Sequence, residues 1–185
     1  VENIRLFAGI YGLDQRQARR RMEWIIGMAG LTGFEADRTG RLPMGVRQRL
    51  ALGCALVQEP RVLFLDEPTS GVDPIGRRRF WEMLSRLARE DGVAILVTTH
   101  YMSEAEHCDR LGLMHAGRLV ADGSPTDLKR RLEQDMGPLL EIVTDRPGRA
   151  LGHLAASGMA HATLSGTKIH VLSLDPNRDE ARIRA

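Results

Sequence analysis

Val62-Leu63-Phe64-Leu65-Asp66-Glu67-Pro68-Thr69-Ser70-Gly71-Val72-Asp73-Pro74 is the stretch that decides how this chain folds. Val62 to Leu65 is a short unbroken apolar run, the pattern of a parallel strand buried on both faces. Two acids follow it at once, and then a segment of turn-forming residues. Asp73-Pro74 supplies a helix N-cap followed by proline at the first helical position. The helix opened there carries Phe80, Leu84 and Leu87 on one face and stops before Gly92. Val93-Ala94-Ile95-Leu96-Val97 is a second buried strand, ending at Thr98-Thr99-His100. Strand, helix and strand in that order predict a right-handed crossover unit of a parallel sheet, and with it an α/β fold.

Toward the N-terminus, Pro60 closes a helix over about 45–58, in which Val46, Leu50, Cys54 and Val57 recur at near-helical spacing. Gly30, Gly33 and Gly40 separate it from a helix over about 15–30, capped by Asp14 and striped with Met22, Ile25, Ile26 and Ala29. The chain opens at Val1 inside an amphipathic segment, as a fragment of a longer protein would. Toward the C-terminus, a helix over about 102–108 precedes strands near 111–115 and 118–122, with Ala116-Gly117 as a hairpin turn. Ser124-Pro125 opens a charged helix to about Gln134, and Gly137-Pro138 is a break in composition. The expected organisation is a main domain over 1–136, with a helical subdomain at about 1–58 and a sheet at about 60–125. A small α+β extension over 137–185 would follow, with strands at 139–144 and 169–174 and a helix at 148–156.

Of the 185 residues, 43% are hydrophobic and 27% charged, as in an ordinary soluble globular protein. The net charge of +2 argues against nucleic acid or an anionic membrane surface as a partner. Arginine runs at Arg16, Arg19, Arg20, Arg21 and at Arg77, Arg78, Arg79 read as solvated helix faces. Cys54 and Cys108 lack CxxC spacing or a histidine cluster, which fits two buried thiols in a reducing compartment and not a metal site. No apolar run approaches the roughly 18 residues that span a bilayer and no signal-peptide pattern is expected, so a membrane role would run through a partner subunit.

Four polar elements fall where a parallel sheet presents the carboxyl ends of its strands, the usual place for a ligand. Asp66 can hold Mg²⁺ through its water shell, because Mg²⁺ takes few protein ligands. Glu67 is then left to polarise a water for in-line attack on a phosphoryl group. His100 follows the neighbouring strand and should come close to Glu67, where it could bond a γ-phosphate or fix the attacking water. Pro68 to Asp73 forms a turn-rich loop leaving the acids. Leu42-Pro43-Met44-Gly45-Val46-Arg47-Gln48-Arg49 is a glycine-bearing turn running into a helix, an arrangement suited to an anion. Each has a plain structural reading by itself: solvated acids, a structural histidine, a cap, a loop-to-helix junction.

Their order and spacing resemble the ABC ATPase family. Val62 to Thr69 looks like its Walker B motif, Ser70-Gly71-Val72-Asp73-Pro74 like its D-loop, and Thr98-Thr99-His100 like its switch histidine; Leu42 to Arg49 resembles its signature. The resemblance covers about residues 1–125. It implies a P-loop NTPase-like parallel sheet with a helical signature subdomain, and ATP and Mg²⁺ as cofactors. Asp66 would organise the metal through water, Glu67 would be the catalytic base, and His100 would contact the γ-phosphate. Asp73 would act across a head-to-tail dimer of nucleotide-binding domains. Leu42, Pro43, Met44, Gly45, Val46, Arg47 and Gln48 would face the nucleotide held by the opposite domain. The run Thr98 to Arg110, together with Leu42-Pro43 and Ala121-Asp122-Gly123-Ser124-Pro125, is similar to bacterial multidrug exporters of the ABC-2 class. A polytopic membrane subunit and a peripheral place on the cytoplasmic face of the cell membrane would follow. Some ATPases of that group carry two nucleotide-binding domains in one chain, and this one would match the second.

Three departures stand out. The family's Leu-Ser-Gly-Gly-Gln reads Leu42-Pro43-Met44-Gly45-Val46 here, and proline removes both a hydroxyl and a backbone N–H. No G-x-x-x-x-G-K-[ST] occurs anywhere, and Ser165-Gly166-Thr167-Lys168 lacks the first glycine. The glutamine loop is absent too, since Val1 to Leu6 resembles the segment after it. The 185 residues alone are therefore expected not to hydrolyse ATP. A soluble ABC ATPase of translation or DNA and a regulatory, non-hydrolysing half are the competing classes.

Overall fold

The computed structural model describes residues 1–159 and 161–184. Two compact units divide between His107 and Cys108.

Three helices open the first unit: α1 (Glu2–Ile10), α2 (Gln15–Met28) and α3 (Met44–Ala55), the last preceded by a 3-10 turn at Thr39–Arg41. Asp14 accepts from the Gln17 amide at 2.7 Å while the Gln17 side chain accepts from the Asp14 amide at 3.0 Å, a capping box that fixes the start of α2. Ile4, Ala8, Ile25 and Leu52 are buried where α1 packs on α2 and α3. A Cβ added at Gly53 would lie 2.5 Å from Ile25 Cγ2, so the approach there depends on glycine. One expectation fails on α2. Arg21 is not part of a solvated face: it donates to the Leu56 carbonyl at 2.5 Å, pairs with Glu59 at 3.1 Å and stacks over Trp24. The carbonyls at the end of α3 need donors, and a long guanidinium can reach them.

β1 (Val62–Asp66) and β2 (Ala94–Thr98) pair in parallel, Val62 beside Ala94 and Asp66 beside Thr98. α4 (Pro74–Arg89) joins them and packs against α3 and β2, burying Phe80, Trp81, Leu84 and Leu87. The strands are not buried on both faces as their apolar runs suggested. Exposure alternates along them, with Leu63 buried and Phe64 75% exposed, and Val62 and Leu96 are open as well. An apolar run records what a strand tolerates, whereas burial needs a layer on each side. α5 (Met102–Ala105) is shorter than the expected helix.

In the second unit, β3 (Leu111–His115) and β4 (Arg118–Gly123) form an antiparallel hairpin. Ala116 and Gly117 have φ of 49° and 75°, the left-handed pair a two-residue primed turn requires. α6 (Pro125–Met136) starts at Ser124, whose hydroxyl accepts from the Asp127 amide at 3.1 Å. A sheet of order β5-β7-β6 follows, built from β5 (Leu139–Val143), β6 (Thr163–Ser165) and β7 (Lys168–Leu172) with all pairings antiparallel. α7 (Pro147–Ala156) packs on β6 and β7, and α8 (Pro176–Arg184) ends the described chain. Leu154, Met159, Ile169 and Val171 form the core of this part. β6 and α8 were not anticipated. The composition break at Gly137-Pro138 lies inside the second unit, where Gly137 turns at φ 79° and a Cβ would strike the Ser173 carbonyl at 1.8 Å. Cys54 is buried, but Cys108 is only half-buried.

Candidate active site at the strand ends

Parallel pairing sets Asp66 beside Thr98, and the Thr98 hydroxyl donates to Asp66 Oδ1 at 2.5 Å. The same hydroxyl accepts from the Glu67 amide at 3.0 Å, and the Thr98 carbonyl accepts from that amide at 3.1 Å. These bonds hold Glu67 at φ 42°, a left-handed conformation rarely adopted outside glycine. The chain turns there, and Glu67 Oε1 lies 3.3 Å from His100 Nδ1, with both side chains about half exposed. A carboxylate and an imidazole at hydrogen-bonding range, open to water, can together orient a water and take its proton.

Asp66 presents one carboxylate with an oxygen already fixed by Thr98. Among the described residues no group of three or more His, Cys, Asp and Glu gathers as a metal cage. That donor set suits Mg²⁺, which binds through one or two carboxylates and keeps several waters or phosphate oxygens.

Asp73 caps α4, accepting from the Gly76 amide at 2.9 Å. The signature-like segment lies directly against it. Pro43 is the N-cap of α3 and has no side-chain cap bond; Leu42 and Val46 are buried, and Met44 and Arg47 are exposed. A Cβ at Gly45 would lie 3.2 Å from Val72 Cγ1 and 3.7 Å from Gly76 Cα, so glycine lets the start of α3 reach the start of α4. Arg47 reaches Met44 Sδ at 3.3 Å, Gln48 is half-buried, and Arg49 donates to the Gly45 carbonyl at 3.3 Å. Burial and the charge of Arg79 hold the Arg49 guanidinium below its ordinary pKa. The predicted residues thus form two clusters: Asp66, Glu67 and His100 in one, Gly45 with Asp73 in the other. A pocket of about 590 Å³ beside Ile4, Ile26, Leu31 and Leu50 includes Leu42 but not Asp66, Glu67 or Asp73.

Between the clusters lies a residue that sequence reasoning missed. Glu104, in α5, is 2% exposed and accepts from the Thr69 hydroxyl and the Thr99 hydroxyl, each at 2.6 Å. Arg77 Nε lies 3.7 Å from the same carboxylate, and the Arg77 guanidinium is centred 3.9 Å from the Tyr101 ring. Arg77 therefore also departs from the solvated-face reading. An acid within Met102-Ser103-Glu104-Ala105-Glu106 looks like any exposed helix residue, and only its position four residues after His100 hinted otherwise.

Residues 1–70 match the family model described as ABC transporter. The chain is 47% identical over 137 residues to the probable multidrug ABC transporter ATP-binding protein YbhF of Escherichia coli K12, covering 74% of this chain and 24% of that protein. It is 38% identical over 186 aligned positions to the Nod factor export ATP-binding protein I of Burkholderia orbicola, covering 99% and 59% respectively. The chain thus spans about a quarter to three-fifths of the curated relatives it matches. Among solved structures, cbiO1 of Clostridium perfringens, part of the ABC transporter complex cbiONQ, superposes with a TM-score of 0.64 at 28% identity, covering 71% of this chain and 55% of that one. The dimeric post-hydrolysis ATP-binding cassette MJ0796, bound to ADP and Pi, gives 0.54 at 25% identity over 61% and 49%. These cassettes agree with the α/β P-loop NTPase-like class inferred from the sequence. Relatives and solved structures converge, and the chain belongs to the ABC transporter ATP-binding family.

Proposed function

We propose that residues 1–185 carry the water-activating and signature-bearing part of the ATP-hydrolysing subunit of an ABC exporter. The observation that carries this reading is the 3.3 Å approach of His100 to Glu67 at the ends of two adjacent parallel strands. Glu67 takes the proton of the attacking water, and His100 orients that water against the γ-phosphate. Asp66, steadied by Thr98, holds the water shell of a Mg²⁺ ion; when bound, the metal supplies charge neutralisation at the phosphates. Residues 42–48 and Asp73 face a second nucleotide-binding domain in a head-to-tail dimer. The names of the relatives, a multidrug ABC transporter and a Nod factor export ATP-binding protein, support a transporter subunit that works in export; the ABC-2 type, a polytopic membrane subunit and a peripheral place on the cytoplasmic face rest on the sequence resemblance. Among the described residues no helix is long and apolar enough to cross a membrane, which fits that place. Within this reading, residues 1–136 belong to the ATPase domain and 137–185 to an extension.

No phosphate-cradling loop occurs in these residues, so they do not hold a triphosphate unaided. Calorimetric titration of the 185-residue chain with ATP is expected to show no saturable site, and a micromolar dissociation constant would overturn that. In the full-length ATPase, Glu67→Gln is expected to lower turnover by about 10²-fold or more, the usual contribution of a positioned base. Unchanged turnover would remove Glu67 from the mechanism. It would favour the regulatory, non-hydrolysing half, a reading to which Pro43, with neither a cap bond nor an N–H, lends its weight.

A further inference from the structure

We propose that Glu104 is the positioning residue that holds the loops bearing Glu67, His100 and Asp73 as one unit. The proposal rests on the functional reading above for the roles of those three residues, and on geometry alone for the clamp. Its partners include one group beside each of them. Thr69 stands two residues after Glu67, and Thr99 directly precedes His100; both hydroxyls bond the Glu104 carboxylate at 2.6 Å. Arg77 stands in the first turn of α4, its amide bonded to the Asp73 carbonyl at 2.9 Å and its side chain 3.7 Å from Glu104.

The clamp continues outward. The Thr99 hydroxyl accepts from the Tyr101 amide at 3.1 Å, and the Tyr101 ring lies 3.9 Å from the Arg77 guanidinium and 4.1 Å, tilted, from the His100 ring. Arg77 also donates to the Val72 carbonyl at 3.4 Å, beside Gly45. A buried carboxylate is costly unless hydrogen-bonded and paired, and removing it strands partners that have lost contact with water. Glu104 and Thr69, 2% and 1% exposed, are both out of solvent. The loops after β1 and β2 and the start of α4 can therefore shift relative to one another only by breaking this network. Glu104 is set back from the reacting groups and acts through them.

The variants are Glu104→Leu, which keeps the volume and removes both acceptors, and Glu104→Gln, which keeps one acceptor and replaces the other with an amide donor from which the second hydroxyl can accept. Thr69→Val removes one bond to Glu104, and Thr99→Val removes the other together with the acceptor of the Tyr101 amide; both guard against failure of the leucine variant to fold. Hydrogen exchange on the 185-residue chain reads the amides of Glu67, Ser70 and Val72, which bond within and between these loops. In Glu104→Leu they are expected to exchange about 10-fold faster or more while α2 and α3 are unchanged, a local opening. Equal acceleration across α2 and α3, or none anywhere, would overturn the proposal. In the full-length ATPase, Glu104→Leu is expected to lower kcat by about 10²-fold, the scale of an ångström-sized misplacement, with KM for ATP within twofold. Glu104→Gln should restore most of that rate, and each valine variant should lose part of it. A raised KM at constant kcat, or unaltered kcat in both valine variants, would overturn the clamp. Glu67→Gln is measured alongside. If it abolishes turnover while Glu104→Leu leaves kcat intact, only the clamp fails; if it leaves turnover intact, the functional reading fails and hydrogen exchange still decides the clamp.

Discussion

Asp73 carries two roles that one pair of substitutions separates. Its Oδ1 accepts from the Gly76 amide at 2.9 Å, its own φ and ψ of −61° and 158° are those of an N-cap, and Pro74 follows. Alanine removes the cap bond, worth about 1 kcal/mol. It also removes a negative charge at a helix N-terminus, worth roughly 0.5 kcal/mol at an exposed site. The sum is about 1.5 kcal/mol, and α4 supplies Phe80, Trp81, Leu84 and Leu87 to the core, so fraying its start reaches global stability. Asparagine keeps the cap and loses only the charge, about 0.5 kcal/mol. Urea denaturation of the 185-residue chain, followed by tryptophan fluorescence, reports on the first unit because Trp24 and Trp81 both lie there. The expected order is wild type, then Asn, then Ala. Equal stability of Asn and Ala, or of Ala and wild type, refutes the cap. In the full-length ATPase, Asp73→Asn should then lower turnover while the fold is kept, if the carboxylate works across a dimer interface.

Leu87→Ala on α4 deletes a side chain with no exposed surface and is expected to cost about 2–5 kcal/mol in the same denaturation experiment. Burial pushes the Cys54 thiol above its ordinary pKa, so at pH 8 a disulfide reagent should label it more slowly in the folded chain than in urea. In the second unit, the hydrogen bond and charge of Arg110 hold Asp122 below the usual carboxylate range. Its folded pKa lies below its unfolded one, so its stabilisation is present above about pH 4 and is lost as pH falls through the folded value. Melting temperature followed down to pH 2.5 should therefore decline less steeply in Asp122→Asn than in wild type.

Much of the site was legible because its signals are local. An apolar run ending in Asp66-Glu67, a second ending in His100, and Asp73-Pro74 as cap and first turn each depend on a few adjacent residues. Parallel pairing then brings Glu67 and His100 together, since strands that lie side by side deliver their following residues to one edge. What failed to show in the sequence involves more distant partners. Arg21 and Arg77 looked like solvated charges, and their real partners lie at Leu56 and Glu104. The exposure of Phe64 was hidden because an apolar strand reads the same whether or not both faces are covered.

By itself the sequence determined the family, the acid pair, the histidine and the capped helix, all written in short-range residue order. Only tertiary structure decided that Glu67 turns at φ 42°, that Gly45 touches the start of α4, and that Glu104 is buried. A carboxylate loses its water only where several donors converge, and here one of them, Thr69, stands 35 residues away along the chain.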